Sequence, residues 1–295
     1  MSWVLLTILA AFLWGTVSIV DKFVMSKWTK TAMLPVLFLG FAGLVASILI
    51  FAFYPVGHLS PANIALAIGG GVLYFLGATL FFEAAKLEEI SRIISVMYIQ
   101  PLFVLFLATF FLGERFTAQN YLGILLLVAG SLLISVKKDL KLRSKKVAGL
   151  IFLSTFLYGC FDIITKYALG FADVWTVFAY MRIGLFLPTL IVLYRCLPEI
   201  KSLIRNHGKK TVVVLTLNSV ISLVAYVLLT LAFTAGTVSL VNALSSLQPL
   251  FVLVIAILVS QFFPRLLNEK TNKTTIALKF IAAIIMVIGA LMVTN

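Results

Sequence analysis

Residues 100–105 read Gln-Pro-Leu-Phe-Val-Leu, and residues 248–253 read Gln-Pro-Leu-Phe-Val-Leu again, 148 positions later. Both copies lie deep inside long apolar runs. Pro has no amide hydrogen and clashes with the carbonyl four residues back, so it kinks a helix and frees a polar group. Gln brings two donors and an acceptor that hydrocarbon cannot satisfy. Such a costly pair, kept twice, points to a duplicated membrane protein with a polar centre.

The surrounding composition agrees. The chain of 295 residues is 62% hydrophobic and 11% charged, whereas a soluble chain carries about a quarter charged residues. Its apolar blocks reach the roughly 20 residues that a helix needs to cross a bilayer. The alternating ten-residue segments of a β-barrel do not occur. The net charge of +13 would suit a nucleic-acid partner, but the basic residues sit in short connections between apolar blocks, where orientation signals belong. Nucleic acid is therefore not an expected partner. Cys160 and Cys196 give neither a disulfide framework nor a metal spacing. The first apolar block starts at Trp3 without a basic lead and is expected to be a retained span, not a cleaved signal.

Ten spans are predicted, at about 3–23, 33–54, 62–83, 93–112, 119–136, 147–169, 175–195, 211–233, 238–261 and 276–293. The basic stretch 137–146 divides them into a first repeat, 1–136, and a second, 147–295. Beyond the hexapeptide, Phe12-Leu13-Trp14-Gly15 matches Phe156-Leu157-Tyr158-Gly159, and each leads to a lysine at the same distance, Lys22 or Lys166. Gly130 of the fifth span matches Gly289 of the tenth. Because five is odd, the second repeat must enter the membrane upside down. The predicted fold is thus an all-α membrane protein of ten transmembrane helices, arranged as two inverted five-helix repeats. That is a common build of secondary transporters, with the binding site at the midplane between repeats.

Charge predicts orientation. The odd-numbered connections carry three, two, six, five and four Lys or Arg residues in turn, whereas the even-numbered ones hold only Arg115. By the positive-inside rule the odd connections face the cytoplasm of a plasma-membrane protein and both termini face outward.

Several polar residues are candidates to line a central site. Tyr158, Asp162 and Lys166 are spaced by four and share a helix face; Trp14, Ser18 and Lys22 are their counterparts in the first span. A carboxylate in lipid is costly, so Asp162 should face the bundle interior beside a partner. Lys166 and Arg182 are the available cations, and a structural Asp162–Arg182 pair is the alternative to a substrate or proton site. Arg182 would also suit an anionic substrate. Tyr74, Tyr98, Gln100, Asn218, Asn242, Ser245 and Gln248 complete the expected substrate-binding set, although such residues also join helices to one another. Pro101 and Pro249 are the expected hinges. Lys22 and Lys166 are expected to reach the membrane surface, Glu83, Lys86, Glu88, Glu89 and Arg92 to form a solvated network, and Glu114 with Arg115 a loop pair. Glycines 69–71, 77, 123 and 130 should allow close helix contact. Asn272-Lys273-Thr274 fits a glycosylation acceptor but falls on the cytoplasmic side of the charge-derived topology.

No nucleotide-binding Gly-x-x-x-x-Gly-Lys-Ser/Thr loop and no hydrolase or metalloprotease motif occurs. Neither a cofactor nor a metal is expected, and the chain does not read as an enzyme. The pattern resembles the ten-helix EamA-type branch of the drug/metabolite transporter superfamily. The resemblance is carried by Trp14-Gly15 through Lys22-Phe23, the two Gln-Pro helices, Leu112-Gly113-Glu114, Arg182, Gly130 and Gly289, and it extends over the whole chain. It implies a carrier of small metabolites, such as amino acids or related compounds, working by alternating access, most simply as an exporter. Its expected partners are a small-molecule substrate, the lipid bilayer and a coupling proton or counter-substrate, with the chain a monomer or homodimer. Flipping of lipid or lipid-linked sugar, and a membrane-embedded lipid-modifying enzyme, are the alternatives. Two features depart from the family. The helix-one glutamate of the four-helix relatives is replaced by Trp14 and Tyr158, and family members are usually drawn with both termini in the cytoplasm.

Overall fold

The computed structural model describes residues 2–28, 33–88, 90–135, 144–262 and 273–294. Among them the chain forms twelve helices: α1 (Trp3–Lys27), α2 (Leu34–Phe53), α3 (Pro61–Ala85), α4 (Ile90–Met97), α5 (Gln100–Phe111), α6 (Ala118–Ser135), α7 (Lys145–Ala168), α8 (Val174–His207), α9 (Lys210–Ala235), α10 (Val238–Ser245), α11 (Gln248–Phe262) and α12 (Lys273–Thr294). They make ten spans, because the fourth (α4–α5) and the ninth (α10–α11) are each broken. Large apolar side chains such as Phe53, Phe110, Phe111 and Ile191 cover the outside, as a lipid-facing surface requires. The expected fold class is what forms. Most of the basic stretch 137–146, Asn272 of the glycosylation tripeptide, Glu89 and several basic residues of the odd connections lie outside the described residues.

Starts and stops follow local chemistry. The Ser2, Ser60 and Ser144 hydroxyls accept from backbone amides three residues on, at Leu5, Asn63 and Val147, which satisfies one of the unpaired donors of a helix's first turn. Asp173 does the same for α8, accepting from the amides of Trp175 and Thr176. Helix α8 runs twelve residues past the expected end of the seventh span. Its extension, although basic and containing Pro198, buries Cys196 against Leu34 and Leu37, and Leu203 against Val24 and Leu215. An amphipathic face kept helical a segment that its charge had marked as a loop.

The two halves pack reciprocally. Helix α1 lies on α9 as α7 lies on α3, and α1 meets α11 as α7 meets α5. The pairs α2–α8 and α6–α12 each join one span to its own counterpart. Small residues let these backbones approach, the usual device where lipid competes for every apolar contact. A Cβ on Gly71 would stand 2.0 Å from the Met181 carbonyl oxygen, and one on Gly184 the same distance from that of Ile68. Gly69, in contrast, faces open space and does not serve a contact. Hydroxyls add bonds between spans: Ser47 donates to Ala179 O at 2.9 Å, Ser154 to Gly77 O at 2.7 Å and Ser95 to Ser135 O at 3.0 Å.

The hexapeptides do not kink a continuous helix; they start a new one. Gln100 and Gln248 are the first residues of α5 and α11, so Pro101 and Pro249 fall in a first turn, where a missing amide costs nothing. Tight turns precede both. Ile99 N donates to Val96 O, Leu247 N to Leu244 O, and Leu102 N and Leu250 N each reach three residues back at 2.9 Å. The expectation of prolines acting as kinks is corrected to a pair of breaks, each placing one Gln at a helix start within the bundle.

Candidate functional site: a cavity at the seam of the two halves

A cavity of about 710 Å³ lies between the halves, within the size range of small-molecule sites. Its wall contains Trp14, Ser18, Tyr74, Tyr98, Gln100, Tyr158, Asp162, Asn218, Asn242, Ser245 and Gln248, and the two prolines. Of the twelve expected binding residues, Arg182 alone does not line it. The wall continues through Lys22 and Met25 near the end of α1, Pro35 at the start of α2, Ser135 at the end of α6 and Lys279 in α12. These are the ends that join the odd-numbered connections. At the opposite end Leu6, Ala10, Leu107, Ala108, Phe233 and Val241 pack into a buried cluster with Trp3 against it, and this plug separates the cavity from the even-numbered connections.

The broken spans reach across the seam in the same way. Gln100 Nε2 donates to Asp162 Oδ2 at 2.8 Å, and Gln248 Nε2 donates to Ser18 Oγ at 3.0 Å. Ser18 and Asp162 are the matching positions of the first and sixth spans, so the two contacts are symmetry mates. Each Gln therefore anchors a helix start to the opposite half. A second carboxylate, Asp21, accepts from Asn218 Nδ2 at 2.8 Å. The sequence reading missed it because Lys22 was taken as the member of the stripe. The signal was available: 14, 18, 21 and 25 follow the spacing of one helix face, and a carboxylate at 21 is as costly in lipid as one at 162. Ser222 and Tyr226 were missed likewise; they continue the face of α9 that begins at Asn218, and both line the cavity.

Asp162 takes the amides of Gln100 and Asn242 as its partners, and neither expected cation pairs with it among the described residues. Arg182 is 2% exposed and stands behind the wall. Its Cζ lies 4.6 Å from the centre of the Tyr226 ring, 5.1 Å from Phe178, 5.7 Å from Phe161 and 5.8 Å from Tyr74. Aromatic faces attract a desolvated cation by about 2 kcal/mol, yet Nε and Nη1 have no hydrogen-bond partner. Tyr74 is the hub of this cage, with ring centres 5.0 Å from Tyr158 and 5.4 Å from Tyr226; Trp14 adds an edge contact to Tyr226 at 4.9 Å.

Two charged residues expected at surfaces instead satisfy helix ends at the plugged end, Lys166 within the second half and Glu114 across the halves. Lys166 turns inward and donates to the carbonyls of Phe233 and Gly236, satisfying the end of α9. Glu114 accepts from the amides of Val238 at 2.8 Å and Ser239 at 3.2 Å, and from the Ser239 hydroxyl at 2.6 Å. It thereby caps α10, where the helix dipole favours a negative charge. Gly113, at φ +66°, makes the turn that brings Glu114 there. The Glu83–Lys86 pair, at 2.6 Å and half exposed, is the expected surface contact, whereas Glu88 is buried under Arg92.

A ten-span helical bundle with reciprocal halves and a polar cavity on their seam defines a multi-pass membrane protein. Residues 1–136 match the family model described as the EamA-like transporter family. That match spans the first five-helix half and agrees with the resemblance of the sequence to the drug/metabolite transporter superfamily. A solved structure described as "Crystal structure of protein" superposes with a TM-score of 0.72 at 16% identity, covering 99% of this chain and 95% of that one. It extends the fold over both halves. No curated protein matches the chain.

Proposed function

We propose that the protein is a secondary transporter that carries a small polar or amphipathic metabolite by alternating access, working as an exporter. The observation that carries this reading is the seam cavity, whose wall reaches the odd-numbered connections and is plugged at the other end. In a bilayer such a bundle presents its polar centre to one side at a time. The charge bias of the connections makes the reachable side cytoplasmic, which is where an exporter loads. Closing that side and parting the plug would move the two helix starts, Gln100 and Gln248, with their halves. Trp14 and Tyr158 supply walls, Asp21 and Asp162 supply charge, and Gln100, Gln248 and Asn242 orient the cargo. Repeats at 1–136 and 147–295 would then be the two rocking units.

The test is efflux and uptake of a labelled metabolite panel in cells with and without the gene, with Asp162→Asn as control. A gene-dependent change for at least one compound, lost in the variant, is the expected result. No difference for any compound removes the reading. Labelling of a cysteine placed in the 137–146 stretch by an impermeant reagent from outside would reverse the orientation and with it the exporter assignment.

A further inference from the structure

The charges that reach the cavity are unevenly distributed. Asp21 and Asp162 are both on its wall. Arg182, the cation nearest in the bundle to the Tyr74 and Tyr226 rings, is turned into its aromatic cage and does not line the space. Lys22 and Lys279 belong to the part of the wall beside the odd-numbered connections. Asp162 accepts from the amides of Gln100 and Asn242 and Asp21 from that of Asn218, out of the roughly four lone-pair sites that a carboxylate offers. Asn218, 5% exposed and on the same wall, leaves its Oδ1 without a donor beside Asp21. The lone pairs of the two carboxylates and of the Asn218 oxygen thus outnumber the amide donors that reach them. Around them stand the faces of Trp14, Tyr158 and Tyr226, which favour a cation over an anion.

We propose, resting on the transporter reading above, that the cargo is an organic amine lacking a carboxylate, recognised through its ammonium group by Asp21, Asp162 and the Asn218 oxygen. A carboxylate removed from bulk water is stabilised most by a cation that also donates hydrogen bonds, and an ammonium supplies three. The aromatic wall accepts the apolar body of such a molecule. An anionic cargo would find the guanidinium of Arg182 enclosed and two negative charges facing it. Arg182, which the sequence offers to an anionic substrate, does not line the cavity.

The experiment is direct binding to the full chain in lipid nanodiscs, read by calorimetry, with phenethylamine, phenylalanine and phenylpropionate as probes. The three share a ring and differ only in amine and carboxylate. The amine is expected to bind about tenfold or more tightly than either carboxylate-bearing probe, the scale of a charged hydrogen bond. A smaller preference, or no amine binding at millimolar concentration, overturns the proposal. Asp21→Asn and Asp162→Asn should each weaken amine binding by about tenfold; unchanged affinity in a folded variant of either also overturns it. If the variants do not fold, the three probes on the unaltered chain decide alone. Amine binding without movement across a vesicle membrane would remove the transporter reading and leave this one. Transport of a carboxylate-bearing metabolite would do the reverse.

Discussion

The same hexapeptide sits at the same place in both halves, yet its two glutamines hold different things. Gln100 holds a carboxylate, Asp162, whereas Gln248 holds a hydroxyl, Ser18. The first span has its carboxylate almost a turn further along, at Asp21, where Asn218 of α9 binds it. The plugged end is unequal too. Glu114 follows α5 and caps α10, but the position 148 residues later is Phe262. Duplication preserved the backbone device, a helix start aimed across the seam, while the charges drifted apart. Backbone symmetry is needed for two halves to exchange roles, whereas a cargo without twofold symmetry does not require the same charge on both.

The widest gap is expected between the two glutamine contacts. Asp162→Asn should lower transport by about tenfold or more, because a charge-assisted hydrogen bond contributes roughly 1.5–3 kcal/mol. Efflux rates in vesicles measure it, and wild-type rates would show that the charge has no role. Glu114→Ala should come next, destabilising the plugged end by about 2 kcal/mol through loss of a cap and a dipole contact. Cysteine reactivity at residues near 236–237 should rise; unchanged reactivity would mean that the cap does not hold the plug.

Gly123 and Gly289 test the symmetric part. A Cβ on either would stand 2.9 Å from the other's carbonyl oxygen. Alanine at each should therefore cost a similar amount, about 1–3 kcal/mol for overpacking, read as equal drops in melting temperature. Clearly unequal drops would break the claim that α6 and α12 meet as equals. Ser18→Ala should have the smallest effect, below about fivefold on transport, because a neutral hydrogen bond contributes near 1 kcal/mol. A loss matching that of Asp162→Asn would erase the difference between the halves.

Much of the bundle was legible because hydrocarbon imposes long apolar helices and marks every polar exception. Eleven of the twelve predicted binding residues line one cavity, since a Gln, Asn or Asp inside a span has few other places to go. The exceptions are instructive. Glu114 and Lys166 lie near span ends, where a sequence gives no hint that another helix terminus stands opposite with unpaired groups. Asp21 was hidden by its neighbour Lys22, whose charge suggested a membrane surface. Arg182 was expected to seek an anion and found four rings.

Periodicity, charge bias and the repeated Gln-Pro by themselves determined that ten spans form two related halves around a polar centre, because burial and hydrogen bonding in lipid leave no other economy for such residues. Tertiary structure alone decided which polar group meets which: that Gln100 takes Asp162, that Asn218 takes Asp21, and that Arg182 is withdrawn from the cavity into Tyr74, Phe161, Phe178 and Tyr226. These choices depend on the rotation and depth of helices from opposite halves, and those are set by where glycines such as Gly71 and Gly184 let backbones touch.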